Sequence, residues 1–156
     1  MTNDTTAAPP PADAAPTIEG VPHLGFFLGS ELYSVPLTRL REVARLTRLR
    51  RIPGAPAHVA GVVNLRGEIV CALDTHAILG LDRSPDRAQF LIALRDFDFP
   101  VALIVDSIAD VFSVDPEAIH APPDTWRGER AAFVTGVCDV ALGAMGLVDL
   151  DRVVLR

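Results

Sequence analysis

A chain of 156 residues, 49% hydrophobic and 22% charged, is long enough for one ordinary domain that buries roughly 68–70% of its unfolded surface, and its composition excludes a fibrous or wholly disordered protein. Its net charge of −6, from 20 acidic against 14 basic residues, argues against a nucleic-acid partner, because phosphate neutralisation needs clustered cations. The opening segment MTNDTTAAPPPADAAPTIEG offers little apolar surface to offset the entropy of ordering, which predicts a disordered tail over residues 1–20. From His23 onward, FFLGSELYSVPL predicts two short strands joined by a tight turn at Gly29 and Ser30, with Phe26, Leu28, Leu32 and Val35 on the core face. Next, LTRLREVARL places Leu37, Leu40, Val43 and Ala44 at helical spacing and predicts a short amphipathic helix. TRLRRIPGAP then reads as an edge strand stopped by Pro53. In HVAGVVNLRGEIVCALD, two apolar runs flank a turn at Arg66 and Gly67, the strongest hairpin signal in the chain. Asp74 and Thr75 are placed to cap a short helix over Ala77, Ile78 and Leu79, and GLDRSPDRA reads as a connector.

The second half repeats this order. FLIALRDFDFPVALIVD gives strand, turn and strand, SIADVFSV continues, and FVTGVCDVALGAMGLVDLDRVVL closes the chain. Laid over the first half, Phe26 falls on Phe90, Val35 on Val101, and Glu42 with Val43 on Asp110 with Val111. Further along, Val59, Gly61 and Val62 fall on Val134, Gly136 and Val137, and Leu73 with Asp74 on Val148 with Asp149. Such a duplication predicts two similar small β-subdomains. Neither half buries much core alone, so the two are expected to share an interface. Short strands and frequent turns point to small barrels; a doubly wound fold would need long alternating helices.

Residues able to carry catalysis or hold a metal are not visible together. The histidines His23, His58, His76 and His120 fall in four separate elements, without a second His or Cys at ligand spacing, and His76 reads as an ordinary exposed residue of a surface helix. No phosphate loop or nucleophile elbow occurs, and the aspartates Asp106, Asp110, Asp139, Asp149 and Asp151 are explained by strand ends and turns. Cys71 and Cys138 lie in apolar runs and read as buried reduced thiols. No apolar run approaches the ~18–20 residues of a membrane span, and the N-terminus lacks a secretory pattern, so a cytoplasmic protein without membrane insertion is expected. Two other classes compete: a small hydrolase with a hidden site built from His58 or His120 and an aspartate, and a nucleic-acid-binding barrel, which the charge and the lack of basic and aromatic interleaving disfavour.

Residues 26–81 resemble the CheW family of chemotaxis coupling proteins. The likeness lies in Leu28 and Gly29, Tyr33 and Pro36, Leu40 to Val43, Arg51 to Pro53, Gly61 to Gly67, and Leu73 with Asp74. The second half adds VALIVDSIADV, the turn from Ile119 to Pro123, FVTGV and GLVDLDRVV. The resemblance implies a mainly β fold of two intertwined, SH3-like, five-stranded β-barrel subdomains with short helices, in a domain over residues 21–156 with subdomains near 24–82 and 88–150. It further implies no catalysis, no cofactor and no metal, in a scaffold that couples the cytoplasmic tip of methyl-accepting chemotaxis receptors to the regulatory domain of the histidine kinase CheA at membrane-associated arrays. Cys71, Ala72, Thr75 and His76 depart from the proline, aliphatic residue, leucine and arginine frequent in that family, and leave open an adaptor of a pilus, gliding or other non-flagellar chemosensory pathway.

By the same resemblance, Leu40, Glu42, Val43, Asn64, Arg66 and Gly67 are the candidate receptor- or kinase-binding residues. Glu42 and Arg66 match the family helix and hairpin that border the receptor groove. Gly67 serves to shape the turn, and core packing and groove lining fit Leu40 and Val43 equally. The hairpin from Asn64 to Ile69, or its neighbouring loops, is the expected kinase contact. Trp126 is excluded, since capping the second barrel explains it as well as any contact does.

Overall fold

The computed structural model describes residues 20–82, 89–126 and 128–155. The tail expected over residues 1–20 falls outside the described residues except for Gly20, as do residues 83–88 of the connector. Strands β1 (Val21–Leu28) and β2 (Glu31–Pro36) form the first hairpin, turned at Gly29 with φ +64°. A 3-10 turn over Leu37–Arg39 leads to β3 (Leu40–Arg45), then to the short β4 (Leu49–Arg50) and a second hairpin, β5 (Val59–Leu65) with β6 (Glu68–Asp74). Asp74 caps helix α1 (Thr75–Ile78), its carboxylate accepting the Ala77 N–H that the first helical turn leaves open. Then come β7 (Phe90–Leu94), β8 (Val101–Val105), β9 (Ser107–Val114), α2 (Glu129–Ala132), β10 (Val134–Val140), β11 (Gly143–Val148) and α3 (Leu150–Val154). Asp149 caps α3 through the Arg152 N–H, as Asp74 caps α1.

These strands make a five-stranded sheet in the order β9-β1-β2-β11-β10 and a six-stranded sheet in the order β3-β7-β8-β6-β5-β4. The sixth strand is the two-residue β4, one more than the five expected. The strand after each hairpin leaves it: β3 pairs with β7 of the second half, and β9 pairs with β1 of the first. The halves are intertwined by this exchange. The sheets consequently follow residues 40–105 on one side and residues 21–36 with 107–148 on the other. The repeat itself is visible in matching irregularities. Val59 pairs with Leu73 and Gly61 with Ala72 across a bulge; Val134 pairs with Val148 and Gly136 with Leu147 across another.

Alternation along the strands sorts the core into three clusters. Leu24, Phe26, Leu28, Tyr33 and Val35 of the five-stranded sheet meet Leu73, Ile92, Leu94, Val101, Leu103 and Val105 of the six-stranded sheet, so the largest cluster is shared between the sheets. Ala93, Ala102 and Ile104 point the other way, into a cluster with Val63 and Val70, while Leu32 joins Cys138, Met145 and Leu147 inside the five-stranded sheet. Leu32 and Val35 therefore do not share a face as expected; three residues apart on one strand, they point to opposite sides. Strand β8, VALIV, is buried along its whole length because both of its faces are covered.

Both sheets curl. In a flat sheet, β3 and β6 would lie roughly 14 Å apart, three strand spacings of ~4.8 Å. Instead Arg41 of β3 reaches Glu68 of β6 at 2.5 Å, and Ala44 packs into the cluster that holds Leu65 and Val70. Ala109 and Phe112 of β9 likewise pack into the cluster of Cys138 and Val140 of β10, at the far end of the other sheet.

The helix expected over Leu37 to Leu46 is absent. Only Leu37–Arg39 turns, and Leu40–Arg45 is strand β3. A bulge explains the deceptive spacing: Leu40 pairs with Leu94 but Glu42 with Ala93, so Arg41 is an extra residue. Opposed residues on paired strands share a side. Leu40 and Val43, facing Leu94 and Ile92, thus fall on one face at a spacing of three, as they would on a helix.

Candidate partner-binding surface

The bulge in β3 directs its residues to two places. Leu40 packs against the core shared by the sheets, and Val43, on the same face, is 37% exposed. Glu42 turns to the other face, alongside Ala93, where the β5–β6 turn comes over it. There Arg66 Nε donates to Glu42 Oε1 at 2.9 Å; the Glu42 side chain is 20% exposed and the Arg66 side chain 75%. A pair this open contributes only about 0.2–1 kcal/mol.

The turn that carries Arg66 is built by its neighbours. Arg66 and Gly67 have φ of +53° and +85°, the left-handed pair of a two-residue hairpin turn, and the Asn64 side chain accepts the Gly67 N–H at 2.9 Å. Asn64 and Gly67 shape the loop, as expected for the glycine. Arg66 occupies a backbone position that Gly or Asn fills with less strain, by about 1 kcal/mol. Of the six candidates, Glu42, Asn64, Arg66 and Gly67 come together at this turn. Leu40 and Val43 lie on the opposite face of β3 from Glu42.

A second, matching rim was not anticipated. In β9, Ile108 pairs with Phe26 and Val111 with Leu24, again across a bulge, so both face the shared core. Ile108 is partly buried against that core and Val111 is 50% exposed. Leu40 with Val43 on β3 and Ile108 with Val111 on β9 are therefore equivalent apolar pairs, on the two exchanged strands, at the margin of the interface between sheets. Overlaying the halves had aligned Val43 with Val111, which was the available signal.

His76 was expected on the surface and is buried. Its Nε2 lies 3.0 Å from Asp106 Oδ1, with both side chains 7% exposed, and Asp106 Oδ2 accepts the Gly29 N–H. This contact ties α1, the β8–β9 junction and the β1–β2 turn together. Trp126 packs on Tyr33 at 6.1 Å and stacks under the Arg130 guanidinium at 3.9 Å, while Arg130 and the Tyr33 hydroxyl both contact Glu31. Burial and the adjacent Glu31 hold the Tyr33 phenol well above its ordinary range.

Burial likewise raises the pKa of the Cys71 and Cys138 thiols, which are free, so neither is primed as a nucleophile. Burial lowers the pKa of His23, favouring the neutral imidazole. His120 Nε2 lies 3.3 Å from Asp139 Oδ2, but with side chains 51% and 75% exposed the pair has no desolvated site around it. Among the described residues, no group of three or more His, Cys, Asp or Glu is placed to hold a metal ion, and no helix is long and apolar enough to cross a membrane. The surface thus carries apolar strips on the exchanged strands and, on the opposite face of β3, an oriented guanidinium.

The CheW-like domain family model matches residues 22–155. The chain is 32% identical over 131 residues to "Chemotaxis protein CheW" of Treponema pallidum, covering 81% of this chain and 76% of that protein. It is 30% identical to "Chemotaxis protein CheW" of Rhizobium meliloti, covering 83% and 84%. To "Protein PilI" of Pseudomonas aeruginosa it is 31% identical, covering 64% and 58%. The fold is similar to that of the scaffolding protein TtCheW from Thermoanaerobacter tengcongensis, with a TM-score of 0.71 at 24% identity over 83% of this chain and 88% of that one.

Proposed function

We propose that this chain, which belongs to the CheW-like domain family, is a non-catalytic adaptor that couples the cytoplasmic tip of methyl-accepting receptors to the regulatory domain of the histidine kinase CheA. Its place is the cytoplasm, at membrane-associated receptor arrays. The receptor tip is a helical hairpin, and an apolar strip is the kind of surface that takes helix side chains. The carrying observation is the charged turn: Arg66 is kept in a left-handed conformation and held by Glu42, with three quarters of its side chain still open to a partner. A planar guanidinium oriented in this way suits a receptor carboxylate or carbonyl, and lysine does not reproduce its fork of donors. Similarity to PilI supports a second reading, in which the same coupling serves a pilus, gliding or other non-flagellar pathway.

Receptor-dependent kinase activation by purified variants tests this role. Arg66→Ala is expected to weaken coupling about tenfold, the loss of one charge-assisted hydrogen bond, Arg66→Lys less, and Glu42→Ala to act in the same direction. Arg66→Gly separates function from folding: it relieves the backbone strain while losing the ion pair, so stability should stay within about 0.5 kcal/mol as coupling falls. Full activation by all of these variants would remove the turn from the receptor contact.

A further inference from the structure

His23, near the start of β1, lines a cleft of about 240 Å³ where the ends of β2 and β11 meet the start of α3. Much of its wall is apolar: Leu147 belongs to the inner cluster of the five-stranded sheet, Val148 and Leu150 to the core shared by the sheets, and Ile119 is 37% exposed. The polar side chains of the lining are His23, Arg39, Thr135 and Asp149. His23 is only 9% exposed, and its Nδ1 lies 3.1 Å from the Val21 carbonyl oxygen, which can only accept, so Nδ1 carries the ring proton. Burial favours the neutral imidazole and leaves Nε2 a bare lone pair. Among the described residues, the buried side-chain nitrogens and oxygens sealed without a partner are Ser34 Oγ, Thr75 Oγ1, His76 Nδ1 and Arg130 Nε, and His23 Nε2 is not one of them. It therefore opens to the cleft that His23 lines. Thr135 donates its hydroxyl proton to the Leu147 carbonyl oxygen at 3.2 Å and keeps lone pairs with which to accept. Asp149 Oδ1 accepts the Arg152 N–H, while Oδ2 has no partner among the described residues. Arg39, whose side chain is the lining's cation, is engaged by Asp151 and Asp96 and stacked over Phe97.

The cleft thus combines open acceptors with an apolar wall, and its cation is already paired. We infer that it binds a small apolar primary amine, whose ammonium donates to His23 Nε2, Thr135 Oγ1 and the open oxygen of Asp149 while its hydrocarbon body covers Ile119, Leu147 and Val148. An ammonium brings three N–H donors to these three acceptors and has no acceptor of its own to leave unpaired. A carboxylate would be set against the Asp149 charge, with the Arg39 guanidinium held by other partners. An alcohol brings one donor and leaves the remaining acceptors covered without a partner, which costs affinity. The volume lies below the ~300–1,000 Å³ of sites for drug-sized ligands, so the occupant is a small molecule. None of the six candidate partner-binding residues lines this cleft, so amine binding and coupling can be separated by mutation.

The test is an NMR titration of the full chain with phenethylammonium chloride, with phenethyl alcohol and phenylacetate as neutral and anionic counterparts of similar size. The amine should shift the amides around His23, Thr135 and Leu150 saturably, with a Kd on the order of 1 mM, about tenfold tighter than the alcohol, and phenylacetate should not saturate. Thr135→Val keeps nearly the same shape and removes one acceptor, and His23→Phe removes another. Each should weaken amine binding about tenfold, while Arg66→Ala leaves it unchanged. Thr135 is exposed, so Thr135→Val decides the matter even where His23→Phe disturbs the fold. Equal affinity for amine and alcohol would show that the acceptors play no part and overturn the proposal. Shifts that map away from the cleft or never saturate, or a Thr135→Val chain that binds the amine as the wild type does, would overturn it too.

Discussion

Gly61→Ala should destabilise the fold by about 3 kcal/mol, while Gly67→Ala, six residues away on the same hairpin, should cost about 1 kcal/mol. Both glycines have positive φ, +153° and +85°, so conformational preference alone does not separate them. Space does. A Cβ on Gly61 would lie 2.1 Å from the Arg50 carbonyl oxygen and 2.8 Å from its carbon, backbone atoms that no rotamer change can move. Relief requires β4 to part from β5, opening the Leu49–Val63 and Arg50–Val62 pairs and lifting Leu49 off the inner cluster of the six-stranded sheet. A Cβ on Gly67 meets nothing within 4 Å and pays only for its left-handed backbone. Urea denaturation of the two variants measures the difference. Equal midpoints would show that β4 yields easily and that the close approach is not structural.

Asp106→Ala should cost about 3 kcal/mol, placing it among the most destabilising single changes outside the apolar core. It removes the buried partner of His76 and the acceptor of the Gly29 N–H at once. His76→Ala should cost a similar amount, because the Asp106 carboxylate would then stay buried with one partner instead of two. His76→Gln, which can still donate to Asp106, should cost less than half as much. Asp106→Ala and His76→Ala should not be additive when combined, since they act on one contact. If His76→Ala and Asp106→Ala both unfold at the wild-type midpoint, the contact joining α1, the β8–β9 junction and the β1–β2 turn contributes nothing to the fold.

Legibility in the sequence tracked how local each signal was. The Arg66–Gly67 turn and the Asp74 cap were readable because turn chemistry and capping each act within a few residues, and the matching of Gly61 with Gly136 because the two halves repeat. Strand β3 was misread as a helix for a specific reason. A bulge inserts one residue into a two-residue repeat, leaving Leu40 and Val43 three apart on one face, which a helix also produces. A bulge of the same kind in β9 leaves Ile108 and Val111 three apart on one face. Nothing local announced the exchange of β3 and β9 between halves, because pairing partners are chosen over distances of forty-five residues or more. His76 was read as exposed because Asp106 is thirty residues away, brought near only when β8 aligns parallel to β6.

Among the candidate site residues, Glu42 and Arg66 were expected by resemblance to border one groove, and they lie 2.9 Å apart.

Kinase autophosphorylation reconstituted from receptor, CheA and this chain, with each component omitted in turn, tests the coupling role most directly. Activation above the rate of the kinase alone is expected only when all three are present, and should drop when Arg66→Ala replaces the wild-type chain. A receptor that activates the kinase equally well without this chain would contradict it.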